Sequence, residues 1–280
     1  MVEPTQAQLD VLDSFERTAY NLADFWNKHM RWQAALYNST VMMGVTWLTV
    51  ARRVHISGVE NATALDWTRG VMIVANHRTF YDYFGIMSEL VRKVPEYRPD
   101  RIMFPVRSAF FYERPLGVFL NLAMSGMAMF PPIMRERSKK VWNDYALARC
   151  VDELEHNACV VGVHPEGRRH PDIPMFEVRG GKTGVAHVAL EAEHCQVLPV
   201  FFTGVTNDLL EEFRRNWLEP DRYPVFLAFG PEVHLQDLRR ADNTEAIEQQ
   251  AVDRFMMAIS AMAARCRELA GESVREVAEA

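Results

Sequence analysis

A histidine and an aspartate five positions apart, His77 and Asp82, are the residues in this sequence best suited to moving a proton. They follow an apolar run at residues 70–75. Imidazole has a pKa near neutrality and can accept a proton from a hydroxyl, and a carboxylate one helical turn later can hold the ring in one tautomer. The spacing alone is weak evidence, because in a sequence with nine histidines about half an occurrence of this pattern is expected by chance. A helix N-cap aspartate beside a satisfied histidine is the alternative.

A second candidate site lies in the basic loop that follows another apolar run, residues 159–163. The loop contains Glu166, Gly167, Arg168 and Arg169. A sharp turn with free backbone N–H groups and two guanidinium groups would suit a phosphate or another anion. A solvated basic loop without a ligand is the alternative.

Three further basic residues lie near the ends of predicted elements. Lys182 follows two glycines and opens a helix, where backbone N–H groups point outward, but the spacing is not that of a P-loop. Arg107 and Arg135 lie around the end of another predicted strand. They could contribute to an anion site or form surface salt bridges.

Strand-like and helix-like segments alternate between residues 54 and 270. Apolar runs predict strands at residues 70–75, 102–106, 159–163, 196–202 and 225–229. Periodicity predicts helices at residues 81–92, 115–124, 139–156, 182–192 and 243–269. This alternation predicts an α/β domain with a mixed, largely parallel sheet flanked by helices. Residues 271–280 are acidic and are predicted to form a frayed tail.

Residues 1–53 precede this domain and predict a two-helix appendage, a helical hairpin. Residues 7–30 are amphipathic. Residues 32–51 carry no charge, and a helix of this length could cross a bilayer core. However, the second segment contains six Gln, Asn, Ser or Thr residues, and its Trp32 and Trp47 favour a membrane interface. A helix buried against the domain, an interfacial hairpin and a full span all stay open.

Composition excludes some classes of protein. The net charge of −6 argues against a nucleic-acid partner, which would require a basic face. The four cysteines are scattered, without metal-ligand spacing, and are typical of reduced thiols in the cytosol. The N-terminus has no basic region followed by a short apolar core, so we expect no signal peptide.

The motifs, taken in order, resemble those of the glycerophospholipid acyltransferases, the lysophosphatidic-acid and glycerol-phosphate acyltransferases of phospholipid synthesis. The similarity extends from about residue 54 to residue 232. The matching blocks are Asn76-His77 with Asp82, Pro165-Glu166-Gly167, Lys182-Thr183-Gly184-Val185-Ala186, Val197-Leu198-Pro199-Val200 and Phe229-Gly230-Pro231. Each block is modest evidence, but the ordered set is specific.

The resemblance implies roles for individual residues. His77 would be the general base and Asp82 its partner. Arg135 would contact a phosphate of the acceptor, in a pocket to which Arg107, Glu166, Gly167, Arg168 and Arg169 also belong. Positioning roles would fall to Asn76, Lys182 and Pro199. The resemblance further implies a mixed sheet wrapped by helices, with an N-terminal two-helix element that docks on a membrane.

Three residues depart from the family pattern. His164 replaces the usual aromatic residue, Arg168 replaces a threonine and His170 replaces a serine. We expect these changes to lie where the acceptor's head group binds. They therefore leave the identity of the acceptor open more than the type of reaction.

The resemblance implies direct acyl transfer with no metal and no cofactor, acyl-CoA or acyl-carrier protein being the co-substrate. The acceptor would be a hydroxyl of a lysophospholipid or a glycerol-phosphate-type compound. The protein would be cytoplasmic, peripheral on the cytoplasmic face of the membrane. A non-phospholipid acceptor such as an amino lipid or secondary metabolite, thioester hydrolysis, and a non-catalytic membrane-binding homologue remain alternatives.

Overall fold

The computed structural model describes residues 1–240 and 244–279, with side chains through residue 271. The strands are β1 (Val54–Ser57), β2 (Val71–Ala75), β3 (Ile102–Met103), β4 (Val106–Arg107), β5 (Pro132–Ile133), β6 (Val160–Val163), β7 (Gln196–Thr203) and β8 (Val225–Phe229). Six of them form one sheet in the order β1-β8-β7-β2-β6-β3, and β4 pairs with β5 separately. Only the β7–β8 pairing is antiparallel among the described pairs.

The parallel pairing of β2 with β6 determines where the chemistry lies. Val74 is in register with Val163, so β2 and β6 end side by side. The residues that follow the two strands, from Asn76 and from His164 onward, therefore meet at one edge of the sheet, where ligands of α/β proteins bind.

Helices cover both faces of the sheet, which explains why β2 and β7 are buried along their whole length. The helices are α1 (Gln6–Asp10), α2 (Ser14–His29), α3 (Arg31–Tyr37), α4 (Met43–Thr49), α5 (Val59–Thr63), α6 (Asp82–Lys93), α7 (Ser108–Phe111), α8 (Pro115–Ser125), α9 (Lys140–His156), α10 (Gly184–Glu191), α11 (Leu209–Leu218), α12 (Gln236–Arg239) and α13 (Glu245–Glu279). On β7, Phe202 contacts Gly85 of α6 and Pro199 faces Gly230 and Met262 of α13, on the opposite face.

The predicted α/β fold with a mixed, largely parallel sheet is confirmed. Each predicted strand is present, although residues 102–106 divide into β3 and the start of β4. The strands β1 and β5 and the helices α5, α7, α11 and α12 were not predicted. Helix α13 continues through Glu279 and so includes most of the segment 271–280 for which we expected a frayed tail. Ala280, like residues 241–243, lies outside the described part.

The first long helix, α2, packs directly on α9. The Tyr20 ring lies edge-on to Trp142 with centroids 4.8 Å apart, and its hydroxyl is 2.6 Å from that of Tyr145. Beside them the fully buried guanidinium of Arg149 forms ion pairs with Asp24 of α2 and with Glu153. Helix α2 therefore shares its core with the α/β domain.

Residues 31–49 form one continuous helical run, with a π-helical turn (Asn38–Met42) between α3 and α4. Its polar side faces the protein: Asn38 donates to the Pro99 carbonyl, and the Thr46 hydroxyl accepts a hydrogen bond of 2.8 Å from Ser88. No helix among the described residues is both long and apolar enough to cross a membrane.

Candidate active site

His77 and Asp82 form a hydrogen-bonded pair at the carboxyl edge of the sheet. His77 follows β2, Asp82 begins α6, and the His77 Nδ1 lies 3.0 Å from an Asp82 oxygen. That oxygen, Oδ2, also accepts the N–H groups of Arg78 and Thr79, and Oδ1 accepts the Thr79 hydroxyl. Because all these neighbours donate, the buried carboxyl group is held as an anion. Nδ1 of His77 then carries the proton, which leaves Nε2 free to accept another.

The His77 side chain opens into a cavity of about 530 Å³. The ring is 22% exposed, and the rest is covered by the surrounding chain. Much of the cavity wall is apolar, and that part consists mainly of Phe80, Tyr83, Phe104, Phe110, Phe111, Met124 and Met129. The polar exception is a group of four arginines.

The structure brings together the four arginines that the sequence singled out. Arg107, Arg135, Arg168 and Arg169 are all exposed and line the cavity that contains His77. The Arg169 guanidinium lies 3.6 Å from the centroid of the Phe80 ring. Arg107, Arg135 and Arg168 form no ion pair with any residue among 1–240 and 244–271. This arrangement can bind an anionic group next to His77.

Glu166, which we expected to belong to the acceptor's pocket, contacts the protein backbone. Its carboxylate is buried, and each oxygen accepts a backbone N–H: that of His77 at 2.7 Å and that of Arg179 at 2.8 Å. The carbonyl of His77 in turn accepts the N–H of His170 at 2.9 Å. Glu166 therefore holds the backbone of His77, and it lines neither of the two cavities described here.

His164, which we expected to lie with the acceptor's head group, lines the same cavity as the four arginines and also packs on His77. Its ring stacks on the ring of His77, with centroids 3.8 Å apart and planes 8° from parallel. Its Nδ1 lies 3.0 Å from the Ala75 carbonyl. The imidazole therefore packs directly against the base, although part of it also lines the cavity.

Comparison with known proteins identifies the family. The sequence model of a family described as Acyltransferase matches residues 53–203, more than half of the chain. The chain belongs to the acyltransferase family. The family resemblance of the ordered motifs is thereby confirmed.

Two further comparisons concern individual proteins. No curated protein sequence matches this acyltransferase. Among solved structures, the crystal structure of PlsC from Thermotoga maritima, a 1-acyl-sn-glycerophosphate (LPA) acyltransferase, is similar with a TM-score of 0.48. The two chains are 20% identical, and the similarity covers 91% of this chain and 93% of that one.

Burial controls the pKa values in the acyltransferase's site. Burial, followed by the charges of Arg169 and His170, lowers the pKa of His77 to about 3. Burial and the neighbouring His77 lower the pKa of His164 to about 3 as well. Burial raises the pKa of Asp82, while its hydrogen bonds to Thr79 and Arg78 oppose that rise. Both imidazoles are therefore neutral at physiological pH, and His77 is available as a proton acceptor.

The three predicted positioning residues occupy different places. The side-chain amide of Asn76 exchanges two hydrogen bonds with the backbone of Phe202, which ties the end of β2 to β7. Lys182 lies over Gly167, whose φ of +69° suits a residue without a side chain, and it lines a second cavity. Pro199 is buried in β7 and lines neither cavity. It contributes to packing under α13.

Arg78 is a residue that sequence reasoning missed. Its buried guanidinium donates to the carbonyls of the loop after the arginines, at His170, Ile173, Pro174, Met175 and Glu177. All five of these acceptors are backbone oxygens, so the task of Arg78 is to hold the loop's backbone. The position of Arg78 next to His77 was the only available signal.

A second cavity of about 390 Å³ adjoins the first. The two share six lining residues: Pro105, Val106, Arg107, Arg135, His164 and Gly167. Its remaining wall is largely apolar and includes Ile133, Leu147, Val161, Val185 and Val188. Such a wall suits an alkyl chain.

Ligand atoms of His77, Asp82 and His164 lie within 4.8 Å of one another, which raises the question of a metal site. The two imidazole planes are 8° from parallel and stacked, so their in-plane lone pairs do not converge on one point. Only one of the two rings could coordinate an ion together with Asp82 in this arrangement. The residues present therefore fit proton transfer better than metal binding.

Proposed function

We propose that this acyltransferase moves an acyl group from acyl-CoA or acyl-carrier protein to a hydroxyl of a lysophospholipid or glycerol-phosphate-type acceptor. The observation that carries the proposal is the position of His77. Its free Nε2 belongs to a cavity with apolar walls, and the cavity's other conspicuous polar groups are four exposed arginines. A phosphate-bearing lipid matches both features.

The chemistry follows from the pair. The acceptor hydroxyl gives its proton to Nε2 of His77 as its oxygen attacks the thioester carbonyl carbon, while the Asp82 anion stabilises the imidazolium. Cavity arginines and backbone N–H groups can stabilise the tetrahedral oxyanion. Collapse of the intermediate breaks the C–S bond, and the imidazolium returns its proton to the departing thiolate. The ester C–O bond is formed and His77 is neutral again.

The arginines and the second cavity would bind different parts of the substrates, the polar part and the apolar part. The phosphate would lie among Arg107, Arg135 and Arg168, where charged donors form the stronger kind of hydrogen bond. The alkyl chain would extend along the apolar wall of the second cavity. The shared residues, His164 among them, lie between the two parts.

The test is an acyl-transfer assay with purified protein. Acyl-CoA and acyl-carrier-protein donors are combined with lysophosphatidic acid, other lysophospholipids, glycerol phosphate and neutral alcohols, and both thiol release and ester formation are measured. We expect ester formation that depends on the acceptor's phosphate and disappears in His77→Ala. Thiol release at the same rate without an acceptor would identify a hydrolase instead. Equal use of phosphate-free acceptors would identify a non-phospholipid acceptor, and full activity in His77→Ala would refute the catalytic role of His77.

The arginines provide a matched control. Arg135 lines the cavity, whereas the exposed Arg137 nearby does not. Loss of one charge-assisted hydrogen bond, worth roughly 1.5–3 kcal/mol, should raise KM for the phosphate-bearing acceptor by about 10- to 150-fold in Arg135→Ala. Arg137→Ala should leave KM unchanged. The same KM in both variants would contradict the phosphate site.

We further propose that the acyltransferase acts while lying on a membrane surface, on the cytoplasmic face. Three helical segments have an inverted pattern, with polar side chains buried and apolar ones exposed. In residues 31–49, Asn38, Thr46 and Thr49 are buried, while Trp32, Leu36 and Trp47 are each more than half exposed. Residues 115–125 and 209–218 repeat the pattern, with Asn121, Ser125, Glu212 and Asn216 buried and Leu116, Phe119, Leu210 and Leu218 exposed.

These segments form one surface, here called the apolar face. Helix α8 contacts the π turn, and α4 contacts α11, where the Trp47 and Trp217 rings lie 5.1 Å apart. Arg52 lies over Trp217, as expected of a cation that meets lipid phosphates beside an interfacial aromatic ring. Phe110, which lines the catalytic cavity, is exposed and belongs to the neighbouring α7. A lipid bilayer is the partner that covers so large an apolar area beside an opening for lipid.

Vesicle sedimentation tests this second proposal. Wild-type protein should bind vesicles of zwitterionic and anionic phospholipids, and the double variant Phe119→Ser/Leu210→Ser should bind at least about 10-fold more weakly, given 1.5–3 kcal/mol for each buried apolar side chain. Met257 is 72% exposed but lies on α13, away from the apolar face, so Met257→Ser is the matched control. Unchanged binding in the double variant would contradict the proposal.

A further inference from the structure

The base is held at four points, and three of them come from the segment that follows β6. Asp82 accepts the hydrogen bond of Nδ1, Glu166 accepts the backbone N–H, and the N–H of His170 donates to the carbonyl. These bonds fix the backbone and one ring atom. They do not fix the plane of the ring, because a ring held by one hydrogen bond can still tilt about that contact.

The remaining contact is the stack with His164. We infer that His164 is a positioning residue: its imidazole fixes the ring plane of His77, so that Nε2 points at the acceptor hydroxyl. The inference rests on the proposed function, since it assigns a task in the same proton transfer. A base must be within hydrogen-bond reach and aligned with the proton it removes, and small misplacements reduce the rate strongly.

His164 is itself held rigidly enough for this task. Its Nδ1 donates to the carbonyl of Ala75, the last residue of β2, and the paired ends of β2 and β6 keep the two residues side by side. Tyr83 of α6 contacts the ring as well, at a centroid distance of 4.5 Å. Space for Tyr83 exists because residue 162 is a glycine: a Cβ there would lie 2.7 Å from the Tyr83 ring.

The hydrogen bond to Ala75 also determines which form of His164 the base meets. Nδ1 carries the proton of this ring, and burial lowers the pKa of His164 to about 3, so the ring stays neutral and does not repel the imidazolium that His77 becomes during transfer. A flat ring without nitrogen would provide the same plane but not the hydrogen bond to β2. A branched aliphatic side chain would fill the space without providing a plane.

Three variants separate these contributions. His164→Phe keeps a flat ring, His164→Leu keeps an apolar side chain without a plane, and His77→Ala removes the base. We expect kcat to fall by about 10- to 100-fold in His164→Leu, with KM for the acceptor within about twofold of wild type. His164→Phe should retain kcat within about fivefold. Thermal denaturation and the NMR signal of the His77 Nδ1 proton establish that each variant at position 164 is folded and keeps the bond to Asp82.

The outcomes are distinguishable. Wild-type kcat in a folded His164→Leu, together with an inactive His77→Ala, would overturn the positioning role and leave the proposed function intact. A His164→Phe variant as slow as His164→Leu would also overturn it, because a flat ring would then be insufficient. Activity in His77→Ala would overturn the proposed function itself.

Discussion

Replacement of Asp82 by asparagine should slow this acyltransferase far less than replacement by alanine. The reason lies in the donors around the carboxylate. Oδ2 receives two backbone N–H groups, from Arg78 at 2.7 Å and Thr79 at 3.0 Å, as well as His77. An amide NH2 group at that place would face two donors. In Asp82→Asn the amide oxygen should therefore take the place of Oδ2, and the NH2 group should turn to the Thr79 hydroxyl.

The expected magnitude follows from that orientation. His77 keeps its proton on Nδ1 and its Nε2 remains free, so only the negative charge opposite the imidazolium is lost. A hydrogen bond to a charged group is worth roughly 1.5–3 kcal/mol, which predicts a fall in kcat of about 10- to 150-fold in Asp82→Asn. Asp82→Ala also removes the acceptor that selects the tautomer, so its kcat should fall by roughly 10³- to 10⁴-fold.

Single-turnover acyl transfer at saturating acceptor measures both variants. Nitrogen-detected NMR of His77 reports the tautomer, and thermal denaturation shows whether the buried site remains folded. A loss as large in Asp82→Asn as in Asp82→Ala, with the His77 proton on Nε2, would refute the reasoning about the amide. Wild-type kcat in Asp82→Asn would show that the charge is not needed.

Three other outcomes are expected. The pKa values of His77 and His164 are lowered in the folded protein, so below about pH 6.5 these two residues take up protons in the unfolded chain but not in the folded one. The free energy of unfolding should therefore fall between pH 7 and pH 5, by up to about 2 kcal/mol per histidine. Denaturant titrations at both pH values measure this, and a loss of equal size in His164→Phe would contradict it. Leu147→Trp should fill the second cavity and shift the preferred donor to shorter acyl chains, while Val141→Trp on the exposed side of α9 should not; identical chain-length profiles would contradict the assignment. Arg78→Lys keeps the charge but cannot reach several carbonyls at once, so kcat should fall by about 10-fold and the melting temperature should decrease; an unchanged enzyme would show that the loop is held by other contacts.

The fold was predictable because it depends on local patterns. Buried strands such as β2 are continuous apolar runs that any reading of the sequence finds. Strand β1 was missed because it is only four residues long, Val-His-Ile-Ser, and these residues are only half buried. The direction of the helices' apolar sides was not predictable either, since an amphipathic pattern does not say which side meets the protein.

The candidate site was predictable in its residue types but not in their tasks. Glu166 was assigned to the acceptor's pocket through the family motif that contains it, and its carboxylate accepts the backbone N–H of His77, 89 positions away. The stack of His164 on His77 depends in the same way on strand pairing between β2 and β6. Long-range contacts of this kind have no signature in one sequence.

The packing of α2 on α9 has a practical consequence for any attempt to prepare the α/β domain without the N-terminal helices. Truncation before residue 31 would remove Tyr20, which covers Trp142, and Asp24, one of the two ion-pair partners of Arg149. The buried Arg149 would keep only Glu153 as an ion-pair partner, and Trp142 would be exposed to water. The N-terminal segment is thus part of the folding unit as well as a neighbour of the apolar face. Single substitutions on the exposed side of the helices leave α2 in place, and they can therefore separate the role of the apolar face from the contribution of the N-terminal segment to folding.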